Sequence, residues 1–369
     1  MSLSTLFRPI SYSDLPGWST DTVSAAFPAF RRCAFQASRR PYRTGRLGVR
    51  AEAFTEAFAD ARAMADAVAE ETARRFFERH FVPFRIEAEQ GAAGFVTGYY
   101  EPEVEASPVG DGRFTVPLYR RPDDLVDVDG QDLPCDLDPS FAFARCAGGR
   151  LVAYHDRQAI DRGALAGRGL ELCWLADRVD AFFIHMQGAA RLSMTDGTTR
   201  RITYAAKSGH PFTGIGGVLA ELGEIPRERV TMQTIRAWLA RNPHRVDEIL
   251  WHNRSYIFFR ETPAGEPDLG PVAAAKVQLE AGRSLAVDRM LHTFATPFFV
   301  DAPDLSVDGR PYRRLMIAQD TGSAITRPAR GDVFMGTGGA AGSVAGVIRH
   351  KAAFHALLPR ALMREGRGQ

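Results

Sequence analysis

The sequence has few cysteines, almost no lysine and no long apolar run. Four cysteines in 369 residues, Cys33, Cys135, Cys146 and Cys173, include no CxxC pair and no neighbouring histidine at metal-ligand spacing. That excludes a zinc ribbon or a dense disulfide scaffold. Cys135 and Cys146 could close a disulfide in an oxidising compartment; four buried free thiols are the simpler expectation, since free cysteine packs as core. No apolar stretch approaches the roughly 20 residues of a membrane span. The opening MSLSTLFRPISYSDLPGW has no basic segment followed by an apolar run, so as written it reads as neither a signal peptide nor a lipoprotein leader. Three of the 46 basic residues are lysine, and 44 acidic residues bring the formal charge to +2. No basic stripe with interleaved aromatics stands out, so nucleic acid is not expected as a partner. HExxH, His-x-His and acidic calcium loops are absent, so neither a metal nor another cofactor is expected.

What is there is ordinary core material, 45% hydrophobic and 24% charged, in a chain long enough for two or three domains. DTVSAAFPAFRRCAFQA and AEAFTEAFADARAMADAVAEETARRFFERHF have apolar residues three and four apart and read as helices. From FRIEAEQ onward the texture changes to short alternating runs between Gly, Pro and Asp. RFTVPLYRRP, RLVAYHDR, DAFFIHMQGAARLSM and TRRITYAAKSG are strand candidates. Helix returns at RERVTMQTIRAWLARNP and RVDEILWHN, then strand texture at SYIFFRE, TPFFVDA, YRRLMIAQD and RGDVFMGTG. SVAGVIRHKAAFHALLPRAL mixes an apolar segment with a last helix. Frontal helices and two strand blocks around a helical spacer predict one β-rich domain interrupted by another.

Asp320-Thr321-Gly322-Ser323 resembles the active-site loop of an aspartic protease. That chemistry needs two such aspartates sharing one proton, and no second Asp-Thr/Ser-Gly occurs. The glycine run GTGGAAG (336–342) superficially matches a dinucleotide fingerprint, but too little chain follows for a βαβ unit, so it reads as a turn-rich loop. In VTGYYEPEVEAS, Tyr99 and Tyr100 face opposite sides of a strand, so at most one is core. The alternatives are one buried and one surface ring, or a sugar platform on which Thr97 and Glu101 bond hydroxyls. Gln187, before Gly188, either closes a turn or offers its amide to a polar ligand. Asp301, Asp320 and Asp332 each border a strand-like segment; if they gather, they raise one another's pKa, which suits a general acid. Otherwise strand-end aspartates cap turns.

Five stretches together, TGYYEPEVEAS, DAFFIHMQGAARL, NRSYIFFRE, TPFFVDAP and AQDTGSAI…GDVFMGTG, stand in the order found in the membrane-bound lytic murein transglycosylase A family, over about residues 90 to 350. The last resembles the "3D" domain, whose three aspartates correspond to Asp301, Asp320 and Asp332. This resemblance implies a mainly β fold with flanking helices: a double-psi β-barrel catalytic domain from 1–103 and 254–369, and a smaller β domain inserted at 104–253, with the substrate groove between them. Two departures stand out. The family's Gln-Gly-Ser-Gly is Gln187-Gly188-Ala189-Ala190 here, and Thr326-Arg327 follow Ile325 where Lys-Gly is usual.

The resemblance implies non-hydrolytic cleavage of the β-1,4 bond between N-acetylmuramic acid and N-acetylglucosamine, leaving a 1,6-anhydromuramoyl end. Asp320 would act as acid and then base, with Asp301 and Asp332 in support. Thr97, Tyr99, Tyr100, Glu101, Gln187, Gly188, Gln319, Thr321 and Gly322 would border the glycan. The implied setting is periplasmic, with peptidoglycan strands as partner, a monomeric enzyme, and any membrane attachment through a leader outside this sequence. The rivals are a hydrolase using two carboxylates on the same barrel and a non-catalytic peptidoglycan-binding protein.

Overall fold

The computed structural model describes residues 3–87, 93–128, 134, 137–139, 141–307, 309–322 and 324–365. It divides into two compact units: Met1–Tyr100 with Gly265–Gly336 and Val347–Gln369, and Glu101–Ala264 with Thr337–Gly346. Set against the expected insert of 104–253, the second unit also takes in 101–103, 254–264 and 337–346.

The first unit begins with β1 (Phe7–Pro9), α1 (Phe27–Arg39), α2 (Thr55–Ala63), α3 (Glu70–His80), β2 (Phe81–Ile86) and β3 (Phe95–Glu101). α1 buries Phe27, Ala29, Phe30, Cys33 and Ala34, and α3 buries Ala73, Phe76, Phe77 and His80, the spacing of one helix face. Phe30 is the centre of this packing, with the rings of Phe58, Phe76, Phe77 and Phe81 at 5.5, 5.6, 5.8 and 5.6 Å. The helical pattern over 51–81 is broken at Met64, whose carbonyl accepts from the Arg31 guanidinium at 2.9 Å and whose backbone is extended.

The second unit follows with β4 (Glu103–Ala106), β5 (Val116–Tyr119), β6 (Leu125–Asp127), β7 (Phe143–Ala147), β8 (Arg150–Val152), α4 (Arg157–Asp161), β9 (Glu171–Leu175), α5 (Arg178–Gln187), β10 (Ala189–Met194), β11 (Thr199–Lys207), α6 (Ile215–Glu221), α7 (Met232–Arg241), α8 (Val246–Trp251) and β12 (Ile257–Thr262). Its largest sheet runs β12-β11-β10-β4. One face of that sheet packs Ala190, Leu192, Ile202 and Phe259 against Ala181 and Ile184 of α5. The strand expected over 180–194 is therefore a helix followed by a strand. Asp177 starts the helix by accepting from the Val179 and Asp180 amides, and Gly188 stops it at φ 75°.

The chain returns to the first unit through β13 (Ser284–Ala286), β14 (Pro297–Val307), β15 (Arg310–Asp320) and β16 (Arg330–Thr337). It then forms α9 (Gly338–Ala345), β17 (Arg349–Lys351), β18 (Ala353–Pro359) and α10 (Arg360–Glu365). The glycine run expected to be a loop thus enters a helix, α9. Among the described residues the first unit forms a nine-stranded sheet in the order β1-β2-β18-β14-β15-β13-β16-β3-β17. Of the cysteines, Cys33 and Cys173 are buried, but Cys146 is exposed, contrary to the expectation of four buried thiols. A Cys135–Cys146 disulfide lies outside the described residues, because Cys135 does.

Candidate active site

The short strand β13 organises the site. It pairs in parallel with β15, Leu285 opposite Ala318 and Ala286 opposite Asp320, and antiparallel with β16, Ala286 opposite Asp332. Asp320 and Asp332 therefore flank Ala286 in one row of the sheet. Directly opposed residues share a face, and two strand spacings put the Cα atoms about 10 Å apart. Ala286, almost fully buried, is small enough to leave the space between the carboxylates clear.

Gln319 is the extra residue of a bulge between those two pairs. It has no exposed surface. Its Oε1 accepts from Ser284 Oγ at 2.5 Å, and its Nε2 donates to the Ala29 carbonyl at 2.9 Å and to Cys33 Sγ at 3.2 Å. The expected substrate contact is instead an anchor that fixes the end of β15 on α1, because both faces of this strand are covered.

Asp320, held this way, is half-buried. Tyr99 donates its hydroxyl to Oδ2 at 3.0 Å and the Ala274 amide donates to Oδ1 at 3.2 Å, while the Thr321 amide adds a third hydrogen bond. Burial raises the Asp320 pKa above the usual carboxylate range. The three hydrogen bonds oppose that by favouring the charged form, and the Asp332 charge adds to the rise. The ring of Tyr99 rests on Phe334 at 5.4 Å. Burial, then the Asp320 charge, raise its own pKa far enough that it stays a donor. Gly322 closes the following turn by accepting from the Ile325 amide at 3.0 Å.

Asp332 is paired. Arg330 Nη1 meets its Oδ1 at 2.6 Å and Nη2 donates to Thr97 Oγ1 at 2.7 Å, with the guanidinium 5.4 Å from the centre of the Phe95 ring. Burial raises the Asp332 pKa and Arg330 lowers it. Thr97, expected on the glycan, is thus committed to Arg330. Arg330 is not among the expected members, although it lies two residues before Asp332 on a strand and so shares its face.

The other expected members have different surroundings. Asp301 lies inside β14 opposite Arg313, its partner at 2.9 Å. Arg313 is seven residues from Asp320 along β15, about 23 Å at the usual strand rise. The three aspartates therefore do not gather. Tyr100 is buried with 7% of its surface exposed, so the tyrosine pair splits into one core ring and one that meets Asp320. Glu101, in the second unit, has no exposed surface and so is closed to a sugar hydroxyl. It pairs with Arg201 at 3.1 Å, lies 4.0 Å from Arg191 and accepts from Thr337 Oγ1 at 2.7 Å. Burial raises its pKa, against the pull of those partners. Gln187 and Gly188 end α5, and the Gly188 carbonyl accepts from the Tyr204 amide at 2.7 Å.

Taken as a class, this is an enzyme scaffold built on strand-rich units, with an aspartate of raised pKa at the end of a strand. Residues 283–358 match the model of the 3D domain and residues 95–260 that of the MltA specific insert domain. The chain belongs to the membrane-bound lytic murein transglycosylase A family. It is 30% identical to membrane-bound lytic murein transglycosylase A of Vibrio cholerae over 285 residues, 72% of this chain and 67% of that one. The crystal structure of a membrane-bound lytic murein transglycosylase from Agrobacterium tumefaciens is 49% identical with a TM-score of 0.90, covering 98% of this chain and 99% of that one. MltA of Neisseria gonorrhoeae is 33% identical with a TM-score of 0.77, covering 96% and 92%.

Proposed function

We propose that this protein is a peptidoglycan lytic transglycosylase that cuts the β-1,4 bond between N-acetylmuramic acid and N-acetylglucosamine and leaves a 1,6-anhydromuramoyl end. The observation that carries this is Asp320: a carboxyl with a raised pKa, partly open to solvent and fixed on both oxygens, in a family whose named members are murein transglycosylases. Protonated, it donates to the glycosidic oxygen. As a carboxylate it then takes the proton from the C6 hydroxyl of the same sugar, whose oxygen closes on C1. The attacking group is already part of the substrate, so effective molarity replaces an activated water and no second catalytic carboxylate is required. Asp332, paired with Arg330, acts on Asp320 through its charge and takes no proton.

The same proposal takes the nine-stranded sheet as the family's double-psi β-barrel, supported by the parallel β13–β15 pair beside antiparallel neighbours. The first unit is then catalytic and the second is the insert, on which Gln187 and Gly188 are glycan contacts. The setting is the cell envelope, on the periplasmic side, with the enzyme acting as a monomer. No helix among the described residues is long and apolar enough to cross a membrane. Mass analysis of peptidoglycan digests tests the activity: anhydro ends are one water lighter than reducing ends. Products carrying only reducing ends would mean a hydrolase, and no new ends a binding protein.

A further inference from the structure

From Thr22 to Ala51 the chain carries seven arginines and no acidic residue. Arg31 pairs with Asp66 at 3.2 Å and Arg32 with Glu280 at 2.7 Å. Arg39, Arg40, Arg43 and Arg46 are exposed and, among the described residues, have no carboxylate at ion-pair distance.

The segment 41–49 is strapped across 288–293. The Arg46 amide donates to the Met290 carbonyl at 2.9 Å, the Leu47 amide to Leu291 at 3.1 Å, and the Gly45 amide to Thr293 Oγ1 at 3.0 Å. Gly45 lies so close that a Cβ would sit 2.3 Å from the Leu291 carbonyl oxygen, so only glycine fits the crossing. The crossed segment brings Arg289, and His292 Nε2 donates to the Pro328 carbonyl at 2.8 Å, next to Arg327. Both arginines are exposed and have no carboxylate partner among the described residues.

The strap also reaches the candidate acid. Tyr42 donates to the Ala275 carbonyl at 3.0 Å, the Ala275 amide donates to the Gln319 carbonyl at 2.9 Å, and the neighbouring Ala274 amide holds Asp320. Six unanswered arginines gathered around one seam repel one another. Their guanidinium forks match carboxylates. The Tyr42 link ties this surface to the backbone that holds Asp320, where the proposed activity cuts a polymer.

We infer that this arginine strap binds the carboxylates of the peptides hanging from muramic acid, so that anionic, peptide-bearing glycan is preferred over a neutral strand. The inference rests on the transglycosylase activity proposed above. An anionic membrane is the other candidate for such a surface. A tie to the backbone that holds the acid favours the substrate.

The test compares soluble peptidoglycan strands with the same strands whose carboxylates are capped as amides. The wild type should show the lower KM on the native strands, rising with salt. Arg43→Glu/Arg46→Glu should raise KM on native strands about tenfold, a modest sum of exposed pair energies, with kcat and the capped substrate unchanged. Arg43→Lys/Arg46→Lys, which keeps the charge, should retain most of the preference, and Arg310→Glu, on another part of the unit, all of it. Equal KM for both substrates in the wild type, or a variant that changes both alike, would overturn the strap while leaving the activity standing. Loss of binding to phosphatidylglycerol vesicles with KM unchanged would overturn it in favour of a membrane face. A wild type that releases no anhydro ends from either substrate removes the activity, and the strap's role with it.

Discussion

Asp320 and Asp332 lie in one row of the central sheet, either side of Ala286, and only Asp332 has a cationic partner among the groups that set its pKa. This asymmetry underlies the roles proposed for the two aspartates. Burial raises both pKa values; Arg330 opposes the rise at Asp332, and the Asp332 charge adds a smaller rise at Asp320.

Replacing Asp332 by Asn should therefore lower the Asp320 pKa. The acid form that starts the reaction would be lost at lower pH, so the alkaline limb of the pH–rate profile should move to lower pH in a variant that stays folded. An unmoved limb would mean that Asp332 only braces the loop.

Tyr99→Phe should move the same limb the other way. The hydroxyl stabilises the Asp320 carboxylate, so its removal should raise that pKa and keep the acid form to higher pH. Chemical denaturation should register about 0.5–1.5 kcal/mol for the lost hydrogen bond. A limb shifted to lower pH would contradict the assigned direction of the bond.

Asp301→Asn should leave turnover and its pH profile in place. Asp301 faces Arg313 at the other end of the β15 ladder. With Arg313 half-exposed, the stability loss should be no more than about 1 kcal/mol. A collapse of turnover in the folded variant would restore Asp301 to the catalytic machinery.

Gln319→Ala should behave as a packing mutant. It leaves the Ser284 hydroxyl and the Ala29 carbonyl without their partner, at about 1–3 kcal/mol for each buried group. Calorimetry should show a large drop in melting temperature, and KM of the folded fraction should stay near normal. A raised KM without a loss of stability would return Gln319 to the glycan.

Much of this was readable from the chain, and the failures have physical causes. The DTG loop, the YY strand and their family order were visible because motif and turn chemistry are local. The run 180–187 was not, since a short apolar stretch fits a buried helix and a buried strand equally. Asp177 before it and Gly188 after it were the signals that decide. Gln319 reads locally as an ordinary strand residue beside Asp320, but nothing local says that it is the extra residue of a bulge or that both faces of β15 are covered. Glu101 and Asp301 were misplaced for the same reason: their arginines, Arg201 and Arg313, are set by strand register, a long-range property.

His292 offers a pH test of the fold beside the loop that follows Asp320. Burial lowers its pKa to about 4 from the ordinary 6.5, so it is neutral in the folded protein. Its contribution to stability is complete above the unfolded value and drains away as pH falls from about 6.5 to about 4, because the unfolded chain takes up the proton first. Urea midpoints should fall over that window in the wild type and fall less in His292→Gln. Equal slopes would show that the imidazole does not titrate there.

The central claim, one aspartate acting as acid and then base, is tested most directly by the turnover of Asp320→Asn on purified peptidoglycan, measured beside Asp332→Asn with folding checked for both. Loss of general-acid help should lower the Asp320→Asn rate by at least about 10²–10⁴-fold. Asp332→Asn should retain activity with a shifted pH profile, and every remaining product should carry an anhydro end. Near-normal turnover in folded Asp320→Asn, or a collapse of Asp332→Asn rescued by azide as a glycosyl azide, would contradict the account.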